Sequence, residues 1–252
     1  MRSATSGSTS PGRPAIVTVL EWDSALFGRR VGRAIVPRLT LSAAQDITRA
    51  CAAEALECVY VLTASDDAAG ARVAEAHGFH FVDVRLTLAR ATSRSAVDVR
   101  VRASRPEDVP ALQAIARVSH HDSRFYFDGR FPDERCDELY AAWIANACRG
   151  RAKTVLVADA DGRPAGYLSI TSGSADEGQI DLLAVDAAVQ RRGLGAALVA
   201  GAVDWCAAAG FRTISVVTQG RNVGAQRLYQ RHGFMTTAFE LWYHYWPSDA
   251  SR

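Results

Sequence analysis

A glutamine, two arginines and two glycines stand together at Gln190-Arg191-Arg192-Gly193-Leu194-Gly195, between an apolar strand ending at Val185 and the helix-forming run AALVAGAVDWCAAAG. Backbone amides at a glycine-containing turn, backed by a helix N-terminus, make a site for phosphate groups. The arginine pair adds charge where a diphosphate would sit. An ordinary strand-to-helix turn that uses glycine for its geometry has the same residues. Spacing separates the phosphate binders. A P-loop needs Lys-Ser/Thr after its last glycine, but Ala196-Ala197 follow Gly195. A dinucleotide fold wants glycines directly after the strand and an acid about 20 positions on. Here the glycines lie eight to ten residues beyond Val185, and the residue 20 past Gly195 is Ser215. A second constellation is Asn222-Val-Gly-Ala225-Gln-Arg-Leu228-Tyr229. Asn222 and Tyr229 are two helical turns apart, so they share a face about 10 Å apart along the axis. Seen alone, Tyr229 reads as a core aromatic.

Q-x-x-G-x-G at Gln190, Gly193 and Gly195, after LLAV at Leu182 to Val185, resembles the acetyl-CoA signature of the GNAT (GCN5-related) N-acetyltransferases. The later run fits that family's N-x-x-A-x-x-L/F-Y pattern. The resemblance implies an α/β (α+β) GNAT fold with a mixed, largely antiparallel sheet, preceded by a partial GNAT-like subdomain. It also implies acetyl-CoA as co-substrate, no metal, and direct attack in a ternary complex. On this resemblance the backbone of Leu183, Ala184 and Val185 meets the pantetheine amides. The diphosphate cradle falls on Gln190 and on Arg191, Arg192, Gly193, Leu194, Gly195 and Ala196. Asn222 hydrogen-bonds the pantetheine arm, and Tyr229 lies near the sulfur, where a phenol can protonate a departing thiolate.

Several further stretches resemble the nucleotide-amino-sugar acetyltransferases of the family. They are Leu20-Glu-Trp22-Asp23-Ser-Ala-Leu-Phe27-Gly28, Ser123-Arg124-Phe125, Tyr140 to Gly150, Thr218-Gln219-Gly-Arg-Asn222 and Leu241-Trp242-Tyr243. They imply a small-molecule acceptor, an amino-deoxy sugar linked to a nucleotide, with Gln219 at its site and a homodimeric assembly. Arg221 and His120-His121 depart from that pattern. An acceptor amine near pKa ~8 is mostly protonated at neutral pH, and the resemblance makes Asp83 the candidate base. A solvent-facing acid on an edge strand is the other reading of Asp83, and Glu21 and Asp23 are further carboxylates. Arg124 and Tyr126, with Phe125, offer a charged fork for a nucleotide diphosphate and rings for stacking; an aromatic loop packed on the core would look the same. His120-His121 serve as base, as substrate contacts, or simply as exposed loop residues. A protein N-terminus, a lysine or an antibiotic amine stays open as acceptor, and so does a non-catalytic acyl-CoA sensor.

Composition narrows the classes. The formal charge of +2 over 252 residues gives no footprint for nucleic acid. No apolar run approaches the roughly 18–20 residues that span a bilayer. Residues 1–14, MRSATSGSTSPGRP, read as a disordered tail without a signal-peptide core. Five cysteines without a CxxC point away from structural zinc and disulfides and toward a reducing cytoplasm.

These residues need a scaffold. Residues 15–90 read as a partial α/β unit: strands at 16–20 and 31–36, a helix at 42–57, a strand at 58–62, a helix ending at His77-Gly78 and a strand from Phe79 to Leu88. Residues 91–97 read as a linker. The GNAT domain then covers 97–247, with a helix after Pro106, a loop at 120–131, a helix at 132–148, strands near 154–158, 165–171 and 179–185, the glycine turn and its helix, a strand at 213–218, a helix at 222–232 and a strand at 234–246. One echo links the two blocks: Ala71-Arg-Val-Ala-Glu-Ala-His77-Gly78-Phe79 resembles Gln226-Arg-Leu-Tyr-Gln-Arg-His232-Gly233-Phe234. Either the first block is a decayed copy of the second, or glycine caps a helix in both places for the same local reason.

Overall fold

Cys58-Val-Tyr-Val-Leu62 is apolar at every position, the mark of a strand covered on both faces, and all five residues are buried. It is the centre of the N-terminal part of a computed structural model that describes residues 15–96 and 98–249; the expected tail, 1–14, lies outside the described residues. The elements there are β1 (Thr18–Val19), α1 (Glu21–Phe27), β2 (Val31–Ile35), α2 (Leu41–Ala53), β3 (Cys58–Ala64), α3 (Ala68–Ala76) and β4 (Phe79–Ala91). The longer remainder carries β5 (Val101–Ala103), α4 (Val109–Arg117), α5 (Arg124–Asp128), α6 (Asp133–Asn146), β6 (Thr154–Ala160), β7 (Arg163–Ser174) and β8 (Glu177–Val185). It ends with α7 (Leu194–Ala208), β9 (Thr213–Gln219), α8 (Val223–Arg231) and β10 (Met235–Tyr245).

The ten strands of the described residues join one sheet in the order β1-β2-β3-β10-β4-β9-β8-β7-β6-β5. Among the described residues β2–β3 and β8–β9 pair in parallel and the other neighbours are antiparallel. The sheet is mixed and mostly antiparallel, as the motifs imply. Segments 15–90 and 97–247 share this sheet, and they interleave. β4 lies between β10 and β9, while β10 lies between β3 and β4. Two βαβαβ runs, β2-α2-β3-α3-β4 and β8-α7-β9-α8-β10, are thereby related by an approximate twofold axis between β10 and β4. The echoed segments fall on equivalent elements, the ends of α3 and α8 with the strands that follow.

Because β9 and β10 run the same way, α8 must carry the chain back along the sheet, as α3 does between β3 and β4. Ala44, Ile47 and Cys51 of α2 are buried on one stripe with Val59 and Val61 of β3. Helix α7 is apolar nearly all round and fills the corresponding core with Ile180, Ile214 and Val216. The opposite face of the sheet is covered by α4, α5 and α6, over Tyr60, Val157, Tyr167, Leu182 and Ala184.

Two short helices replace segments that read as connections. Helix α1 is held by Ser24 Oγ donating to Leu20 O at 2.7 Å and ends at Gly28 with φ 62°. Helix α5, inside the expected 120–131 loop, ends at Gly129 with φ 71°. Helices of one or two turns are too short to show a 3.6-residue period in sequence.

Candidate active site

Strand β8 determines the site. Its ladder with β9 runs only from Glu177↔Thr213 to Ile180↔Val216, while β8 stays paired with β7 as far as Val185↔Gly166. Beyond Ile180 the strands part, so the β9-facing edge of Leu182 to Val185 has no ladder partner. Unpaired strand backbone is a template for another amide-bearing chain. A bulge sits at the point of parting, because Ile170 pairs with Ile180 but Ser169 pairs with Leu182. The extra residue reverses the alternation. Ile180 packs under α7, whereas Leu182 and Ala184 pack toward α4 and α6. The Leu182 amide donates to Ser169 Oγ at 3.1 Å.

The glycine turn closes the wide end of this opening. Gly193 is the N-cap of α7 with φ 81°, and no side chain caps that helix. The first helical bond at this end is donated by Ala197 to Gly193 O at 2.9 Å, so the amides of Leu194, Gly195 and Ala196 are left for a ligand. Arg191 is left-handed at φ 63°, a conformation costing about 1–2 kcal/mol in a residue other than glycine. Arg191 and Arg192 are exposed, and Arg192 reaches Asp161 at 3.3 Å. Gln190 turns back onto its own strand, with Nε2 donating to Val185 O at 3.2 Å. A third guanidinium, which the sequence did not single out, comes from before β5: Arg100 donates to Arg192 O at 3.1 Å. Three free amides, three arginines and an open strand edge suit a diphosphate followed by an amide-bearing arm.

Asn222 caps α8, its Oδ1 accepting from the Ala225 amide at 2.9 Å, which leaves its side-chain NH₂ for a ligand. Leu228 of α8 would lie 3.4 Å from a Cβ at Gly195, so glycine lets the two helices approach. Seven residues of helix, about 10 Å, bring Tyr229 back to about the level of Val216, where β8 and β9 part. Tyr229 is 4% exposed and its ring lies 5.7 Å from Phe234. Burial pushes its phenol well above the usual range, so it holds its proton.

On the α4–α6 face, Asp83 is 3% exposed with Oδ1 unpaired, and Arg221 Nη2 lies 3.8 Å away. Burial raises its pKa to about 6, the Arg221 charge opposing the rise. Asp83 is thus no solvent-facing acid. Arg221 also donates to Val82 O at 2.6 Å and lies 3.8 Å from the Phe127 ring centre, which fixes it over the end of β9. The Arg124 guanidinium rests 4.4 Å from the Trp242 ring and 5.0 Å from the Tyr60 ring, its Nε buried and unpaired. Its charge is felt by Asp83 and by Asp23 of α1, whose carboxyl burial raises above the ordinary range. Two carboxylates of the 15–90 segment therefore feel one guanidinium of the 97–247 segment.

The neighbours of Arg124 are otherwise engaged. Phe125 is fully buried, 5.6 Å from Phe27 and from Phe131. The Tyr126 hydroxyl donates to Asp137 at 2.6 Å, pinning α5 to α6. Gln219 ends β9 opposite Arg85, and its carbonyl accepts from Gln226 at 3.1 Å. The histidine pair divides. His121 is exposed, but His120 stacks on Tyr140 at 4.4 Å with Nε2 2.9 Å from the Tyr167 hydroxyl, and burial lowers its pKa to about 4. His120 is a neutral, packed imidazole.

The profile of the acetyltransferase (GNAT) family matches residues 115–234. A dTDP-fucosamine acetyltransferase of Escherichia coli is 30% identical over 236 residues, 90% of this chain and 97% of that protein. The spore coat polysaccharide biosynthesis protein SpsD of Bacillus subtilis is 32% identical over 147 residues, 58% of this chain but only half the length of SpsD. A conserved protein of unknown function from Staphylococcus epidermidis shares the fold with a TM-score of 0.65 at 14% identity, over 93% of this chain and 92% of its own.

Proposed function

The chain belongs to the GNAT acetyltransferase family, a family of acyltransferase enzymes, and on that premise we propose that it moves acetyl from acetyl-CoA to the amine of a nucleotide-linked amino-deoxy sugar. The observation that carries the acetyl-CoA part is the parting of β8 from β9 beside an uncapped helix N-terminus. The acceptor part is supported by the full-length likeness to an enzyme named for dTDP-fucosamine, and by Arg124 of the 97–247 segment acting on Asp23 and Asp83 of the 15–90 segment.

Acetyl-CoA, when bound, supplies an activated acetyl group. The Leu194, Gly195 and Ala196 amides hold the diphosphate, with Arg100, Arg191 and Arg192 adding charge, while the backbone of Leu183, Ala184 and Val185 and the Asn222 side chain align the arm. Asp83, ionised above pH about 6, takes a proton from the acceptor ammonium directly or through water, which frees the lone pair for attack. Tyr229 gives its proton to the departing sulfur and regains one from the new amide nitrogen by way of solvent. The proton that Asp83 took stays there until it exchanges with solvent, so one proton is released per turnover. Arg124 and Gln219 lie on the acceptor side, and Tyr126 supports that wall through α5. The five cysteines are free thiols, in keeping with a cytoplasmic enzyme, and no helix among the described residues is long and apolar enough to cross a membrane.

A thiol-release assay across dTDP- and UDP-amino sugars, peptides and polyamines tests this reading. Turnover is expected with a nucleotide-amino sugar. Turnover of peptides, with none of any nucleotide sugar, overturns the acceptor assignment.

A further inference from the structure

Arg100 stands just before β5 and reaches the glycine turn across 92 positions of sequence. Asp98 holds it in a fork, accepting from Nε at 2.9 Å and from Nη2 at 2.6 Å, and the Arg100 backbone amide donates to the same carboxylate at 2.9 Å. The hydrogen bonds from Arg100 hold the Asp98 carboxyl down at about 2, so the fork is charged at neutral pH. The carboxylate offsets much of the charge that Arg100 brings to the turn. What remains is geometry: Nη1 donates to the Arg192 carbonyl oxygen at 3.1 Å.

The peptide gripped in this way joins Arg192 to Gly193. No peptide bond among the described residues is cis, and in a trans plane the N–H points opposite to the carbonyl. With the Arg192 carbonyl turned to Arg100, the Gly193 N–H faces away from Arg100. That N–H has no partner among the described residues. Gly193 is left-handed, with φ 81° and ψ 3°, and Leu194 begins a right-handed helix. A left-handed residue beside a right-handed one gathers successive N–H groups into one concavity, an anion-binding nest. The other orientation of the peptide is close at hand. Turning the Arg192–Gly193 plane over takes Gly193 to negative φ, which glycine adopts as readily. The carbonyl would then face the anion in place of the N–H. Arg192's side chain is tied as well, 3.3 Å from Asp161.

We infer that Asp98 and Arg100 are a positioning pair for the cofactor's diphosphate: by holding the Arg192 carbonyl on the outer side, they keep the Gly193 N–H in the nest as a fourth amide donor. The inference rests on the acetyl-CoA reading and is independent of the acceptor.

The test titrates CoA and dephospho-CoA, which keeps the diphosphate but lacks the 3′-phosphate, into the full chain and its Arg100→Ala and Asp98→Ala variants by calorimetry. Both side chains are partly exposed, and thermal melts check that the variants fold. Arg100→Ala should weaken both ligands by about tenfold or more, the size of a hydrogen bond to a charged group. Asp98→Ala separates geometry from charge, because the two have opposite signs. Removing a carboxylate near an anion strengthens binding by charge alone, whereas releasing the fork weakens it severalfold, the expected result. A further readout needs no variant: in NMR spectra of the wild type the Gly193 amide proton should move downfield when CoA binds. Unchanged affinity in Arg100→Ala, a loss confined to CoA, equal or tighter binding by Asp98→Ala, or a Gly193 amide that stays in place overturns the pair's role and leaves the acetyl-CoA reading intact. Failure of the wild type to bind CoA overturns the acetyl-CoA reading, and this inference with it.

Discussion

The two βαβαβ runs place a parallel strand pair at equivalent positions of one sheet, and the pairs differ. β2 and β3 are zipped along the whole of β2, from Val31↔Cys58 to Ile35↔Leu62, with Val36 N adding a bond to Leu62 O at 2.9 Å. β8 and β9 come apart after Ile180. In the first run the chain leaves β2 through Val36 to Leu39, both of these end residues buried, and enters α2 with Thr40 Oγ1 accepting from the Ala43 amide at 3.1 Å. In the second run the link is longer, turns through left-handed Arg191 and Gly193, and leaves the first amides of α7 uncapped. The fold therefore does not itself make a site. One inserted residue in a strand and an uncapped helix convert the same scaffold from a filled core to an open edge.

The sharpest way to break the comparison is through the residue that has no counterpart in the first run: Ala74 in α3 lies where Tyr229 lies in α8. Tyr229→Phe is expected to lower kcat by about 100-fold, the lower range for a general acid, with acetyl-CoA affinity unchanged by calorimetry. A normal rate would return Tyr229 to the core. Gly193→Val forces a branched side chain to φ 81° and should weaken acetyl-CoA binding by about tenfold; unchanged affinity would show that the turn amides are not the cradle.

Asp83→Asn is expected to slow acetylation severalfold at pH 7 and to remove the fall in rate as pH drops through about 6. Stability carries a signature of the opposite sense. The folded pKa of about 6 exceeds the unfolded value of 3.8, so the folded chain binds more protons between them and loses stability as pH rises through that window. Melts at pH 4 and pH 7 should show a slope in the wild type that Asp83→Asn reduces. The smallest effect belongs to the zipped run. Thr40→Ala should cost about 1 kcal/mol of stability in denaturant titration and leave acetyl-CoA affinity untouched, since those amides serve only the fold.

The glycine turn into α7 was legible because its residues are contiguous and their backbone geometry is local. Asn222 and Tyr229 were legible for the same reason, one helix fixing their spacing. The interleaving of β4 and β10 was not, because Trp242 meets Asp83 across a separation that no local pattern records. The repeated His-Gly-Phe ending was its one trace. Ile180 to Val185 reads as a plain apolar strand, and only the register with β7 reveals the bulge. Arg100 reaches the turn from far upstream with no motif around it. His120 looked like a loop residue because stacking on Tyr140 depends on how α4 and α6 meet. Tyr126 carried a signal for aromatic chemistry, but its hydroxyl is spent on Asp137.

The exchanged positions of β4 and β10 set the order in which the chain can be completed during synthesis. When residues 15–91 have left the ribosome, β3 and β4 flank a slot that β10 fills, and β10 is made only after β5 to β9. Until then two strands keep bare edges, the condition that invites wrong partners. Severing the chain in the 92–100 connection would not liberate two independent modules; each fragment would lack its neighbour's closing strand, and activity should return only when the two are refolded together.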